Sequence, residues 1–251
     1  MLDRFLNIVC ALLLLLILKP VATSVVAQSL ESAHNLYENG QIEEAAQAFD
    51  VLMQKIQEQE HPDPEEFFLI SFFGGSSHLR LNNPVKATDY FIRAILAYDE
   101  LEGVNIQWLF WSKQGLSEAY KQKGNLQNAV KHLQNLLALI ENHGAKDSRL
   151  YQETIRNLAE IFEEKGKYDA AVDQYILLFE ILDDQDPENN RELFRVLVKL
   201  EGLYEETDNP SGLIESSRRK IDLMHELDDM PEDLIGHSAF LLAQEYERES
   251  D

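Results

Sequence analysis

The sequence predicts an all-α fold in which about five helix-turn-helix repeats stack on one another and one further helix closes the stack. Three observations support this prediction. The 251 residues include only 11 Gly and 7 Pro, too few for the many turns of a β-barrel or β-sandwich. Small and large apolar residues recur with one fixed period. Turn-favouring residues keep that same period of 42 positions, as Gly40, Asn82, Gly124, Gly166 and Asp208.

Residues 1–27 are predicted to be a cleaved signal peptide. An apolar run from Ile8 to Leu18 is followed by a small-residue cleavage site that ends at Ala27. The alternative is an uncleaved membrane anchor, although Lys19 leaves the run shorter than the roughly 20 apolar residues of a spanning helix. We therefore expect an exported protein, periplasmic or secreted. Cleavage would remove Cys10, the single cysteine, and with it all thiol chemistry.

The composition is strongly acidic. Lys and Arg number 22 against 45 Asp and Glu, which gives a formal net charge of -23. This imbalance argues against nucleic-acid binding, because phosphate groups are bound by a surplus of Lys and Arg. Most of the carboxylates are expected on outward helix faces, where they favour solubility.

Each repeat has the pattern of two amphipathic helices joined by a tight turn. In the first helix a small residue lies seven positions before the turn and a large one lies four before it, so both share one helix face. The small residues are Ala33, Gly75, Ser117 and Ala159, and the large ones are Leu36, His78, Tyr120 and Phe162. The second helix has Ala five positions after the turn and a large residue nine after it: Ala45, Ala87, Ala129, Ala171, and Phe49, Phe91, Leu133, Tyr175. Such a pair buries its apolar face only by stacking on neighbours.

The repeats are predicted to follow one another with short loops, as a single domain over 28–251. Their bounds are 28–62, 63–104, 105–146, 147–188 and 189–231, and a capping helix follows over 232–249. In the fourth repeat the apolar spacing places helices at 148–164 and 168–182. A fragment of a longer repeat protein is the alternative to a terminal cap.

The fifth repeat departs from the pattern at two positions. Glu201 stands where a small residue is expected, and Ser217 stands where an aromatic residue is expected. Either the packing of this repeat is altered, or the neighbouring Gly202 takes the small position.

Three turn segments resemble those of tetratricopeptide repeats (TPRs), namely Gly40-Gln41-Ile42-Glu43-Glu44-Ala45, Gly124-Asn125-Leu126-Gln127-Asn128-Ala129 and Gly166-Lys167-Tyr168-Asp169-Ala170-Ala171. The 42-residue period and His61-Pro62-Asp63 between repeats resemble the kinesin-light-chain type of this family. The resemblance implies a right-handed α-solenoid that binds a protein or peptide in a concave groove lined by the first helix of each repeat. It also implies a scaffold that is not an enzyme.

Carried over by matching position, the resemblance places thirteen residues in that groove: Tyr37, Phe73, Ser76, Arg80, Trp111, Gln114, Glu118, Lys121, Arg156, Asn157, Glu160, Arg195 and Lys199. This groove would be aromatic in its N-terminal half and charged in its C-terminal half. Its basic residues could attract acidic peptide segments. The alternative is that the charged residues are only solvated and that Phe72, Phe73 and Trp111 pack inside.

The sequence contains none of the common catalytic or nucleotide-binding motifs, so we expect no enzyme activity, no cofactor and no metal. Segment 184–188 is similar to the start of a calcium loop but lacks the glycine and the final glutamate that such a loop needs. A second hypothesis for function is an envelope module that senses a small ligand. Its pocket would be formed by Tyr37, Phe73 and Trp111.

Overall fold

The computed structural model describes residues 25–146, 148–182, 189–227 and 232–250. In these ranges it has eleven α-helices and no strand: α1 (Val25–Glu38), α2 (Ile42–Gln57), α3 (Pro64–Arg80), α4 (Pro84–Tyr98), α5 (Gln107–Gln122), α6 (Leu126–Asn142), α7 (Arg149–Glu164), α8 (Tyr168–Leu182), α9 (Asn190–Glu206), α10 (Pro210–Glu226) and α11 (Glu232–Ser250). The predicted all-α fold is therefore confirmed. None of the helices described combines the length and the apolar character that crossing a bilayer requires. Most of the predicted leader, including Cys10, and the 184–188 segment lie outside the described residues.

The five predicted turns share one backbone geometry. Gly40, Asn82, Gly124, Gly166 and Asp208 all have positive φ, at 77°, 52°, 74°, 64° and 51°. After each of them, the next backbone N–H bonds to the carbonyl five residues earlier, as from Gln41 to Leu36 at 2.9 Å. This is the Schellman ending of a helix, which requires the left-handed conformation at the turn residue. The 42-residue period therefore marks where each first helix ends.

The chain divides into two compact units, Met1–Ala129 and Val130–Asp251, which are described separately. In the first unit α3 packs against α1, α2, α4 and α5. A Cβ placed on Gly75 of α3 would lie 3.1 Å from the Phe91 ring of α4. The small residue seven positions before the turn therefore makes room for the large residue of the second helix, as the repeat pattern predicts.

A partly buried polar cluster joins three helices of this unit. The Asp50 carboxylate of α2 accepts hydrogen bonds from His78 Nε2 at 2.9 Å, Lys86 Nζ at 2.6 Å and the Tyr90 hydroxyl at 2.8 Å. Burial by itself would raise the pKa of Asp50, but the hydrogen bonds from Lys86, His78 and Tyr90 outweigh it and hold that pKa below its usual value. Asp50 thus stabilises the contact between the first two repeats in its ionised form.

The second unit repeats the arrangement. The fourth repeat forms α7 and α8, and Ser148 caps α7 by accepting a bond from the Tyr151 N–H at 3.3 Å, so the helices predicted there are confirmed. Ala159 and Tyr175, at the predicted small and large positions, are both buried. The Tyr175 hydroxyl donates to Glu163 at 2.5 Å. Burial, reinforced by that carboxylate, raises the pKa of Tyr175.

The two unusual residues of the fifth repeat contact each other. Ser217 Oγ of α10 donates to Glu201 Oε1 of α9 at 2.6 Å, and Lys220 Nζ lies 2.5 Å from Glu201 Oε2. Gly202 is exposed, and a Cβ added there would meet nothing within 4 Å. The suggestion that Gly202 takes the small position is therefore wrong. A polar pair replaces the small and aromatic pair of the other repeats.

Candidate functional site

The predicted groove residues fall into two sets, one in each unit. In the first unit Tyr37 of α1 and Arg80 of α3 form the best-defined contact. The Arg80 guanidinium carbon lies 5.3 Å from the centre of the Tyr37 ring, in a cation–π arrangement. Burial raises the pKa of the Tyr37 hydroxyl, and Arg80 partly offsets that rise. Arg80 is exposed, and in the described residues it has no carboxylate oxygen within 4 Å.

Phe73 lies beneath this pair rather than on the surface. Its side chain is only 4% exposed, because α3 is covered on several sides by neighbouring helices. The ring contacts Tyr37 and Phe49 at centroid distances of 5.6 and 6.1 Å. The prediction that Phe73 faces a partner is therefore wrong for this residue. The hypothesis of a small-ligand pocket built on Tyr37, Phe73 and Trp111 loses its central member for the same reason.

His34 and Glu38 lie one turn apart on α1, next to this contact. The His34 ring is buried and packs edge-on to Phe73 at 4.6 Å between centroids. Its Nε2 atom is 3.6 Å from Glu38 Oε1. Burial lowers the pKa of His34 and raises that of Glu38, the latter partly offset by Arg80. Glu38 of α1 therefore acts on Arg80 of α3 through its charge, and the two form no ion pair within 4 Å.

The remaining predicted residues of the first unit are half-buried. Ser76 Oγ donates to the Phe72 carbonyl at 2.9 Å, so this hydroxyl is engaged within α3. Trp111 packs edge-on to the buried Trp108 at 5.3 Å between ring centroids. Gln114, Glu118 and Lys121 of α5 are likewise partly exposed. The surface around Arg80 is therefore backed by a rigid aromatic core.

In the second unit a cleft of about 360 Å³ lies along α7 and α9. The predicted residues Arg156, Glu160, Arg195 and Lys199 line it, together with five others: Tyr175, Glu192, Phe194, Val196 and Val198. Asn157 is half-buried on α7. The lining combines apolar side chains with three cationic ones.

Each of those cations is paired with a carboxylate. Glu192 accepts from Arg156 at 2.7 Å and from Arg195 at 3.1 Å, and Glu163 lies 3.0 Å from Lys199. The charge of the cleft is therefore largely neutralised from within. Sequence reasoning did not select Glu192, although its position three residues before Arg195 on one helix is a signal for an ion pair.

The described residues show no cluster of three or more His, Cys, Asp or Glu side chains that could hold a metal ion. The calcium-loop segment 184–188 lies outside them. Both sets combine aromatic or aliphatic side chains that pack on the core with charged groups at the edge.

No known family profile and no curated protein matches the sequence. Solved structures do match. The apo form of RapI superposes with a TM-score of 0.67 at 15% identity over 82% of this chain, which spans 55% of RapI. TPR-like repeats named for a kinesin light chain of Podosopora anserina give 0.65 at 15% identity over 82% of this chain and 98% of theirs. The Rap conjugation gene regulator of plasmid pLS20, in complex with the Phr* peptide, gives 0.52 at 16% identity over 87% of this chain and 63% of that one.

These identities are low, so the likeness concerns the fold. Two independent features agree with it: the 42-residue period of the sequence and the five left-handed turns at that period. The chain therefore has the TPR-like repeat fold, of the kind seen in kinesin-light-chain-like repeats.

Proposed function

We propose that this protein is a non-catalytic scaffold that binds a peptide segment of a partner protein, and that a carboxylate of that segment contacts Arg80. The observation that supports the proposal is that Arg80 lies over the Tyr37 ring and has no carboxylate oxygen within 4 Å in the described residues. The cations of the cleft in the second unit are paired with Glu192 and Glu163, whereas Arg80 is held on the Tyr37 ring with its charge available.

An Arg held by an aromatic ring is well suited to this role. The guanidinium donates two parallel hydrogen bonds to a carboxylate, and stacking fixes its plane before the ligand arrives. Interface residues that dominate affinity are often Arg, Tyr and Trp in rigid surroundings. Tyr37, Arg80 and the half-buried Trp111 have this character.

The net charge of -23 does not prevent an acidic segment from binding at this place. At physiological ionic strength charges are screened over about 8 Å, so a direct contact with Arg80 outweighs most of the distant carboxylates. The Glu38 carboxylate of α1 interacts electrostatically with Arg80 but lies beyond ion-pair distance of it.

The test is a peptide-display selection on the purified chain, followed by fluorescence anisotropy with the enriched peptides. We expect enrichment of Asp and Glu next to an apolar residue. Arg80→Glu should weaken these peptides at least ten-fold, and Arg80→Lys should weaken them by less because the charge remains. Lys55→Glu is the matched control, since Lys55 is exposed on α2 and its reversal changes the net charge equally. Equal binding by wild type and Arg80→Glu would refute the assignment.

Export belongs to the same proposal. The side chains of α1 are described from Ser29 onwards, and the first buried ones among them are Leu30 and Ala33. Cleavage after Ala27 would leave the core contacts of these two residues in place. Intact-mass measurement of the protein recovered from its native cell fraction tests this, with Gln28 expected as the first residue. Recovery of an uncleaved chain would favour the anchored alternative.

A further inference from the structure

The last helix, α11, has an exposed face. In the repeats, the corresponding face of the first helix contacts the second helix. Counting on by 42 from Asp208 gives position 250 as the next turn position. Ala243 is seven residues before it and Tyr246 four before it, which are the small and large positions of a first helix. Both are exposed, Tyr246 by 48%, and Phe240 on the same helix is exposed by 60%.

In the repeats these two positions contact the second helix. At the small position, a Cβ on Gly75 would lie 3.1 Å from the Phe91 ring of α4. At the large position, the Tyr204 ring lies within 2.8 Å of where a Cβ on Gly212 of α10 would be. The small residue admits a helix and the large residue fills the space beside it. On α11 this face has the same residue types and no covering helix in the described residues.

The other side of α11 is already in use, because the helix packs against α10. Its open face is therefore held in place by the fold. An apolar face of this kind, fixed on a folded unit, fits the apolar side of one amphipathic helix. The occupant should resemble the second helices of this chain, with Ala followed four residues later by Phe, Leu or Tyr.

The charge of α11 indicates which residues should lie beside the apolar side of the bound helix. Residues 232–250 contain five acidic residues and one basic residue, Arg248: Glu232, Asp233, Glu245, Glu247 and Glu249. A second copy of the chain would bring another acidic α11, of the same composition, against this helix. A helix with Lys or Arg beside its apolar stripe gains from the same charges.

We propose that the face of α11 formed by Ala239, Phe240, Ala243 and Tyr246 binds a basic amphipathic helix of a partner protein. This surface differs from the one around Arg80, and the proposal does not depend on the peptide-binding function assigned there.

The test uses two peptides derived from α4, Pro84–Tyr98, which keep Ala87 and Phe91. The basic probe has Lys at four positions that face solvent in α4: Val85, Asp89, Ile92 and Leu96. The acidic probe has Glu at the same four. Both are titrated into the full ¹⁵N-labelled chain by NMR. We expect the basic probe to shift the amides around Ala243 and Tyr246 and to bind at least ten-fold more tightly than the acidic probe.

Ala243→Glu separates docking from a general attraction between a basic peptide and an acidic protein. The substitution adds a negative charge, so a general attraction would grow, whereas docking by close packing should weaken at least ten-fold. Ala243 is exposed, so the circular dichroism of the variant should match wild type. Absence of saturable binding, or tighter binding by Ala243→Glu, would overturn the proposal. Light scattering that shows a dimer abolished by Ala243→Glu would also overturn it, because the occupant would then be a second copy.

Discussion

Glu201→Ala and Ser217→Phe together restore the small and aromatic pair of the other repeats. We expect this double variant to be more stable than either single variant. Glu201 accepts hydrogen bonds from Ser217 and Lys220 at 2.6 and 2.5 Å, and the side chains of Glu201 and Lys220 are only 14% and 16% exposed. Hydrogen bonds to a charged group contribute about 1.5–3 kcal/mol. Glu201→Ala alone should therefore lower the free energy of unfolding by about 2 kcal/mol.

Ser217→Phe alone should also destabilise, because Glu201 occupies the space that a ring needs. Overpacking of this kind costs about 1–3 kcal/mol. In the double variant the smaller side chain at position 201 would make room for the new ring at position 217, as Gly75 does for Phe91 in the second repeat. Burial of a Phe side chain contributes about 1.5–3 kcal/mol, so we expect the double variant to lie within about 1 kcal/mol of wild type.

The measurement is a double-mutant cycle by thermal unfolding, monitored by circular dichroism. A loss of 2 kcal/mol corresponds to a decrease in Tm of about 4–8 °C for a chain of this size. The coupling energy between the two sites should be about 2–4 kcal/mol in favour of the double variant. Additive losses would refute the reasoning, since they would mean that position 217 cannot take the aromatic place of the repeat.

Four further substitutions test the repeat contacts and turns by thermal or urea unfolding. Asp50→Ala should lower the free energy of unfolding by about 2–4 kcal/mol at pH 7, since it leaves two buried donors without an acceptor. Because the folded-state pKa of Asp50 is lowered, the difference in stability from wild type should shrink as pH falls below about 4. A difference that does not depend on pH would contradict this. Gly115→Ala should lower the free energy of unfolding by about 1–3 kcal/mol, because the new Cβ would lie 2.3 Å from the Phe91 ring. The same substitution should cost less in a Phe91→Leu background. Equal losses in the two backgrounds would exclude a clash with Phe91. Asp208→Gly, at φ 51°, should stabilise the fold by about 0.5–1 kcal/mol. Gly166→Ala, at φ 64°, should destabilise it by about 1 kcal/mol. Stability changes of the same sign in both variants would contradict the left-handed turns.

The sequence predicted the fold better than the surface, and the reason is physical. A left-handed turn restricts the residue types allowed at one position, and a helix packed on a neighbour restricts the size of its contact residues. Both restrictions recur every 42 residues, so Gly40 and Ala45 or Gly166 and Ala171 reveal them directly. Phe73 could not be placed in this way, because its exposure depends on how many helices surround α3 rather than on its position in the repeat.

Three ion pairs between helices of neighbouring repeats follow one fixed spacing in the sequence. Lys86 and Asp50, Arg156 and Glu192, and Lys199 and Glu163 are each separated by 36 residues. This spacing is six residues shorter than the period. Two first helices, or two second helices, of neighbouring repeats are therefore offset by six residues where they meet, which is about one and two-thirds turns. Arg80 is the instructive case: the position 36 residues after it is Leu116, a buried apolar residue. Lys199 is paired with the residue 36 before it, and the corresponding residue for Arg80 is Glu44, which lies on the second helix α2 rather than on a first helix. Between first helices this spacing offers Arg80 only Leu116, and in the described residues Arg80 has no carboxylate oxygen within 4 Å.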